Sequence, residues 1–471
     1  MNLRAIPIVF FAFASSAVGD EVDDYVRAEM SRSKTPGVAI AISRGGQVVR
    51  AQGYGLANVE HQVATKPETV FQSGSVGKQF TSMAVLMLVE GGKLSLDDPI
   101  SKHFAGSPAK WAPITVRHLL THTSGIKDWE DEKDLDLRRD YTEDQLLKIA
   151  MGLPLDFPPG TQWSYSNTGY VLLGILVHKV SGQFYGDLLE ERVFRPLGMT
   201  STHIINEADI VPNRSAGYVL QKGVLKNQEW VSPSLNTTAD GSLYLTVLDL
   251  AKWDAALYGS SLVKPETLKQ AFTPVRLASG ASHDYGFGWD VDEQRGHRLI
   301  QHGGSWQGFR SAIARYVDES LGVFVLANLA EAEPEAMAHA IAGIVEPSLR
   351  LASPTEATAD PDPKRTASLL DLLEKRSATA TSPLMASGLR QDDPGTERAK
   401  AARKRLGDLV RTRKAFVFLA EDDVAGKAVT RRGGSVKRIL HYGLTTPDRN
   451  YALRFFIDDA NLVSDFTLEG R

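Results

Sequence analysis

The sequence predicts a two-lobed α/β (α+β) fold, with an antiparallel sheet built from both ends of the main domain beside a helical lobe, and then a separate small α+β domain. Three observations carry this. Strand-like patterning appears early, in "GVAIAISRGGQVVRAQGYGLAN", and returns late, in "YGFGWDV", "RLIQHGG", "FRSAIARYV" and "GVFVLANL". Between them, from about Pro67 to Leu262, helical apolar spacing dominates. After Ala352 the composition shifts to "ASPTEATADPDPKR", rich in Pro, Ala, Thr and Asp, which reads as a linker over 351–365.

Residues 1–19 read as an export signal. Arg4 supplies a basic start, "AIPIVFFAFA" an apolar core, and "SSAVG" the small residues that suit cleavage after Ala17 or Gly19. The apolar run falls short of the roughly 20 residues a membrane span needs. The expectation is an exported protein, periplasmic or secreted, with no membrane span once the signal is removed. Zero cysteines exclude both disulfides and a lipid-modified cysteine.

The main unit covers 20–350. "VDDYVRAEMSRS" reads as a short amphipathic helix, and Arg44-Gly45-Gly46 as the turn between the first two strands. "TVRHLLTHTSG", "TEDQLLKIAMG" and "NTGYVLLGILVHKVSG" have helical spacing and end in glycine. "EPEAMAHAIAGIVEPSLR" adds a helix after the late strands. A groove between sheet and helical lobe is the expected ligand site. In 366–471, helix-compatible segments precede "AFVFLAEDDV", "VKRILHYGLTT", "NYALRFFIDD" and "NLVSDFTLEG", with a turn at Arg432-Gly433-Gly434. That pattern resembles the nuclear-transport-factor-like α+β cone.

A net charge of −4 gives no basic footprint, so nucleic acid is not an expected partner. No dinucleotide fingerprint, P-loop or HExxH occurs, so no cofactor is expected. His118 and His122 stand i,i+4 in "RHLLTHTSG" and would share a helix face, but no acidic residue stands between them as in a zincin. Capping and packing explain them better than a metal, and none is expected.

"FQSGSVGKQFTSMAVLMLVEGG" carries the chemistry. Ser-x-x-Lys alone is common here, starting also at Ser31, Ser107, Ser124 and Ser261. Only Ser75 opens a long unbroken helix-forming run, Gln79 to Glu90, and that run is apolar almost all round, hence buried. Residues three apart share a helix face, so the Lys78 amine can reach the Ser75 hydroxyl. Burial disfavours an ammonium and lowers the amine's pKa, making it a proton acceptor. The unpaired amides of a helix start would stabilise a developing oxyanion at the same place.

Two further segments fit this pair. "WSYSNTGY" holds Tyr165-x-Asn167, the only Tyr-x-Asn in the chain, and "QHGGSWQGF" holds His302-x-Gly304. With "THTSG", "PPGTQWSYSNTGY" and "YGFGW" in this order, residues 20–350 resemble the serine β-lactamase/penicillin-binding-protein superfamily. The likeness is to the branch of class C β-lactamases, D-Ala-D-Ala carboxypeptidases and esterases. The resemblance implies a β-lactamase-like fold and an acyl-enzyme formed on Ser75. Lys78 and Tyr165 would share the general-base role, and Asn167 would orient Lys78 and a substrate amide. The backbone N–H groups of Ser75 and Ser305 would form the oxyanion hole, with Gly303 and Gly304 letting substrate approach the strand edge. His302 replaces the lysine usual in such β-lactamases and, unlike it, would be only partly charged near neutrality. The implied function is an exported serine hydrolase acting on peptides or esters of D-amino-acid character. β-Lactamase activity is the alternative within enzymes, and a penicillin-binding sensor of peptidoglycan fragments the alternative outside them.

Overall fold

The computed structural model describes residues 15–129, 136–351, 356–378, 383–386, 397–426, 429–431, 434–447 and 450–470. Most of the expected signal, 1–14, lies outside the described residues, and a helix spans Ser15–Ser33. Among the described residues no helix is long and apolar enough to cross a membrane.

Alternation decides the sheet. In the strand Gly37–Arg44, Val38, Ile40 and Ile42 join one core, while Ala39 and Ala41 join the other. A strand buried on both faces belongs in the middle of a sheet. It pairs antiparallel with Gln47–Asn58 on one side and Leu321–Ala327 on the other, which brings early and late strands together. The order runs Asp290–Gln294, His297–Trp306, Phe309–Tyr316, Leu321–Ala327, Gly37–Arg44, Gln47–Asn58, Val63–Ala64. Val22 and Val26 of the helix Ser15–Ser33 cover the first face, with Ala338 and Ile341 of the helix Pro334–Val345. The helical lobe covers the second, where Phe80, Leu119, Leu172 and Trp253 pack.

Two expected elements differ. "YGFGW" does not join the sheet, because the strand begins only at Asp290. Gly288 adopts φ +77°, and a Cβ there would fall 2.9 Å from the Lys78 carbonyl, so this segment turns beneath the start of the helix Lys78–Glu90 instead of extending. The helix in "TVRHLLTHTSG" spans only Val116–Leu120, and His122 has φ +57°, so His118 and His122 share no helix face.

Helices Pro363–Ala378 and Glu397–Arg411 precede an antiparallel sheet ordered Ala415–Asp423, Gly434–Thr445, Asn450–Asp458, Val463–Gly470. Leu369, Leu372 and Leu373, at helical spacing, pack with Leu440, Leu453 and Phe455. The first of these helices starts inside the stretch read as linker, and Thr358 already bonds to the Phe418 and Leu419 carbonyls. Arg432 and Gly433 lie outside the described residues.

This C-terminal region grips the edge strand Asp290–Gln294. Arg431, 3% exposed, pairs with Asp292, has Asp284 at 3.6 Å, and stacks on Phe456 at 4.1 Å. Arg454 donates to the Glu293 carbonyl at 2.7 Å, and Arg295 meets Asp422 at 2.9 Å. Burial works against the Asp292 carboxylate, but the Arg431 and Arg454 guanidiniums outweigh it and bring its pKa down to about 2. Arg431→Met strands these carboxylates without counter-charge and is expected to cost about 3 kcal/mol, read from urea unfolding. Because the folded-state pKa of Asp292 lies below its ordinary 3.8, that stabilisation is complete above 3.8. The gap between wild type and variant should close as pH falls toward 2.

Candidate active site

Gly74–Gly77 forms one 3-10 turn, and the α-helix Lys78–Glu90 continues from it. Ser75 therefore sits on the lead-in turn rather than on the α-helix itself. Gly74 has φ +51°, and a Cβ there would lie 2.4 Å from the Ser305 amide nitrogen. Only glycine lets these two backbones close up. The turn is tied on both sides: the Ser311 hydroxyl donates to the Ser73 carbonyl at 2.5 Å, and the Ser73 hydroxyl to the Gly241 carbonyl at 2.9 Å.

Lys78 is fully buried. Its Nζ donates to Ser75 Oγ at 3.0 Å, Asn167 Oδ1 at 2.7 Å and the Asp240 carbonyl at 2.6 Å. It also lies 4.8 Å from the centre of the Tyr165 ring. Three acceptors match the three donors of an ammonium. Asn167 is held in turn by its own N–H, which donates to Asp128 Oδ2 at 2.8 Å. Ser166, not Asn167, caps the helix Asn167–Ser181, accepting from the Gly169 N–H.

Tyr165 packs against His122, ring centres 4.3 Å apart, and lines the same cavity as Ser75. His122 Nδ1 accepts from the Ser166 N–H at 3.1 Å. His118 completes a capping box with Thr115. Both histidines are thus engaged in capping and packing.

His302 differs from expectation. It is 4% exposed, with Nδ1 2.6 Å from the Gly303 carbonyl and Nε2 2.9 Å from the Tyr285 hydroxyl. A carbonyl only accepts, so Nδ1 carries the proton and Nε2 accepts from Tyr285. Burial raises the Tyr285 pKa well above its ordinary value, which keeps that hydroxyl protonated. Burial, together with the nearby Lys78 charge, brings the His302 pKa down to about 4. The ring is neutral near neutrality rather than partly charged.

Gly303 and Gly304 are also explained from within. A Cβ on Gly303 would lie 2.0 Å from Glu335 Oε1, and one on Gly304 2.1 Å from both the Ser73 carbonyl and the Ser311 hydroxyl. The glycines let the protein's own groups close in on the strand. Edge pairing on this strand stops at Asp290↔Gln301. Among the described residues, His302–Trp306 has a neighbour only on its other side, Phe309–Ile313. A cavity of about 750 Å³ wraps this free edge and is lined by Ser75, Tyr165, Asn167, His302, Ser305 and Arg310 among others. Asp240, Tyr285, Asp128 and Arg310 were not singled out in the sequence. Asp240 acts through a backbone atom, which leaves no side-chain signature.

Residues 22–346 match the family model for beta-lactamase. The chain belongs to the beta-lactamase family. Within that family it is 31% identical over 316 residues to penicillin-binding protein 4* of Bacillus subtilis, spanning 62% of this chain and 68% of that protein. Its fold is similar to the octameric penicillin-binding protein homologue from Pyrococcus abyssi, with TM-score 0.63 and 25% identity over 96% of this chain and 99% of that one. It is similar, too, to a D-stereospecific amidohydrolase from Streptomyces, with TM-score 0.57 and 25% identity over 70% of this chain and 98% of that one. This beta-lactamase-family protein is a serine hydrolase.

The His302 geometry makes a titration prediction. Its ring resonances should stay at neutral-imidazole positions from about pH 5 to about 8 in NMR. Its folded-state pKa lies below the ordinary 6.5, so its contribution to stability is complete above 6.5 and lost as pH falls through about 4. A His302 ring that titrates at its ordinary value would contradict this.

Proposed function

We propose that the protein is an exported hydrolase that acts through an acyl group on Ser75 and cleaves peptides, amides or esters of D-amino-acid character. The observation that carries this reading is the Lys78 triangle, which holds an amine 3.0 Å from the Ser75 hydroxyl at a buried site. Deprotonated, that amine keeps two N–H groups for Asn167 and the Asp240 carbonyl and turns its lone pair to the Ser75 O–H. Ser75 Oγ attacks the substrate carbonyl as Lys78 takes its proton. The backbone N–H groups of Ser75 and Ser305, brought together across Gly74, receive the oxyanion. Tyr165 shares the base role and returns a proton to the leaving group, and water then releases the acyl group.

The substrate class rests on two supports. The unpaired edge of His302–Trp306 offers main-chain donors and acceptors to an extended peptide. The similarity to a D-stereospecific amidohydrolase favours D-configured substrates. Residues 1–19 act as the export signal, 20–350 form the catalytic unit, and a second domain follows, its first helix starting at Pro363.

The test is covalent labelling. A fluorophosphonate and a fluorescent penicillin are expected to modify Ser75 in intact-mass and peptide mapping, and Ser75→Ala to abolish both adducts. A penicillin adduct that decays marks turnover, whereas a stable one marks the sensor reading. Lys78→Met should slow hydrolysis of a short p-nitrophenyl ester by on the order of 10²–10⁴-fold. Full hydrolytic activity in Ser75→Ala would remove the mechanism.

A further inference from the structure

Tyr165 stands on an irregular stretch of chain. Residues 161–166 lie outside helix and strand, and the helix Asn167–Ser181 begins only after them. A ring that must meet the Ser75–Lys78 pair to within a fraction of an ångström needs firmer support than a loop provides. We infer that His122 is the positioning residue for Tyr165, fixing the main chain on both sides of it and the phenol ring between them. The inference rests on the Tyr165 role proposed above and names the group that holds Tyr165 in place for it.

The contacts converge on one side chain. The His122 carbonyl accepts from the Ser164 N–H at 3.0 Å, and its Nδ1 accepts from the Ser166 N–H at 3.1 Å. The two main-chain donors that flank Tyr165 are therefore both held by the same residue. The His122 ring lies 4.3 Å from the Tyr165 ring, tilted by 36°. It is fixed in turn by Tyr285 and Tyr170, with ring centres 4.7 and 5.1 Å away. Those two rings are themselves anchored, Tyr285 through its hydroxyl to His302 and Tyr170 to the Leu120 carbonyl at 2.9 Å. His122 is 1% exposed, so it acts through Tyr165 and not by touching substrate.

The backbone carries a second sign. His122 follows the helix Val116–Leu120 and its cap Thr121, and adopts φ +57°, in the left-handed region. Glycine takes that conformation freely and commonly ends helices for this reason, whereas other residues take it under strain. Glycine would end this helix as well and would still offer a carbonyl to Ser164. It has neither the Nδ1 nor the ring. The strained histidine is thus explained by what it does for 164–166 rather than by the helix it follows. His118 makes the contrast, because its side chain closes the capping box of its own helix. Since Nδ1 of His122 accepts from an N–H, the ring carries its proton on Nε2.

The test uses a series of substituted phenyl acetates, read as kcat/KM, which reports acylation. A well-placed Tyr165 returns the Ser75 proton to the departing oxygen, which matters most for poor leaving groups and least for p-nitrophenolate. His122→Ala is expected to lower kcat/KM about 10- to 100-fold for phenyl acetate and less for the p-nitro ester. The dependence on leaving-group pKa then steepens, as it should in Tyr165→Phe. His122→Asn should recover part of the loss, since its side-chain carbonyl can replace Nδ1 and asparagine tolerates the left-handed backbone. In the Tyr165→Phe background His122→Ala should add little, because the two residues act as one unit. Losses that are equal across the series, or that multiply in the double variant, overturn the inference. A Tyr165→Phe protein as active as wild type on every ester removes the Tyr165 role itself, and the inference falls with it. Should His122→Ala fail to fold, the wild type still decides. Its nitrogen NMR shifts should report a proton on Nε2 and a hydrogen-bonded Nδ1 at His122, and a proton on Nδ1 would overturn the assignment.

Discussion

The Ser75 pocket is organised around keeping one amine, that of Lys78, inside the protein. An uncompensated lysine charge in an apolar core is expensive, so the site must supply its own polar surroundings. It does so with a side-chain amide, a backbone carbonyl and the Ser75 hydroxyl, each from a different stretch of chain. Only two of those acceptors are fixed. The third is a hydroxyl, which both donates and accepts, so the amine can exchange a donated hydrogen for an accepted one there without disturbing the others. The surrounding architecture serves that arrangement. Thr81 bonds to the Ala239 carbonyl and the Ser82 hydroxyl meets that of Tyr170, so the three segments meeting at Lys78 are also joined outside it.

The residues legible in sequence were those whose chemistry is written in side chains at fixed spacing. Ser75 and Lys78 stood out because only one Ser-x-x-Lys opened a long apolar run, and Tyr165 and Asn167 because that pairing occurs once. The sheet assembled from both ends was legible in the strand-like runs that appear early and return after the helical stretch. Tertiary contact hid the remainder. The Asp240 carbonyl is a backbone atom that any residue would provide. "YGFGW" looks like strand because it is aromatic, yet its glycines let it turn under the start of the helix Lys78–Glu90. The charge state of His302 is set by Tyr285 and by burial, neither of which local sequence reveals.

The C-terminal region reaches the strand His297–Trp306 through a short relay. Arg431 and Arg454 hold Asp292 from one side, and Asp292 Oδ2 accepts from the Gln301 amide at 3.0 Å from the other. Gln301 Oε1 in turn stands 2.6 Å from His339 on the helix Pro334–Val345. Gln301 immediately precedes His302, so contacts made beyond residue 400 bear on the position where the strand loses its outer partner. The arrangement rests on charges that are largely withdrawn from solvent, which makes it less sensitive to salt than a surface contact would be.

That missing outer partner has a cost of its own. An open row of main-chain donors and acceptors will pair with any extended chain, including the corresponding edge of a second molecule, and such pairing is how sheets recruit one another into aggregates. Here the exposed stretch is short, and the edge strand ends it on one side while the Gln307–Gly308 turn ends it on the other. The open edge has the length of one ordinary strand, so it seats a short extended segment and nothing longer. Confining the opening to a single short strand limits what can be recruited there.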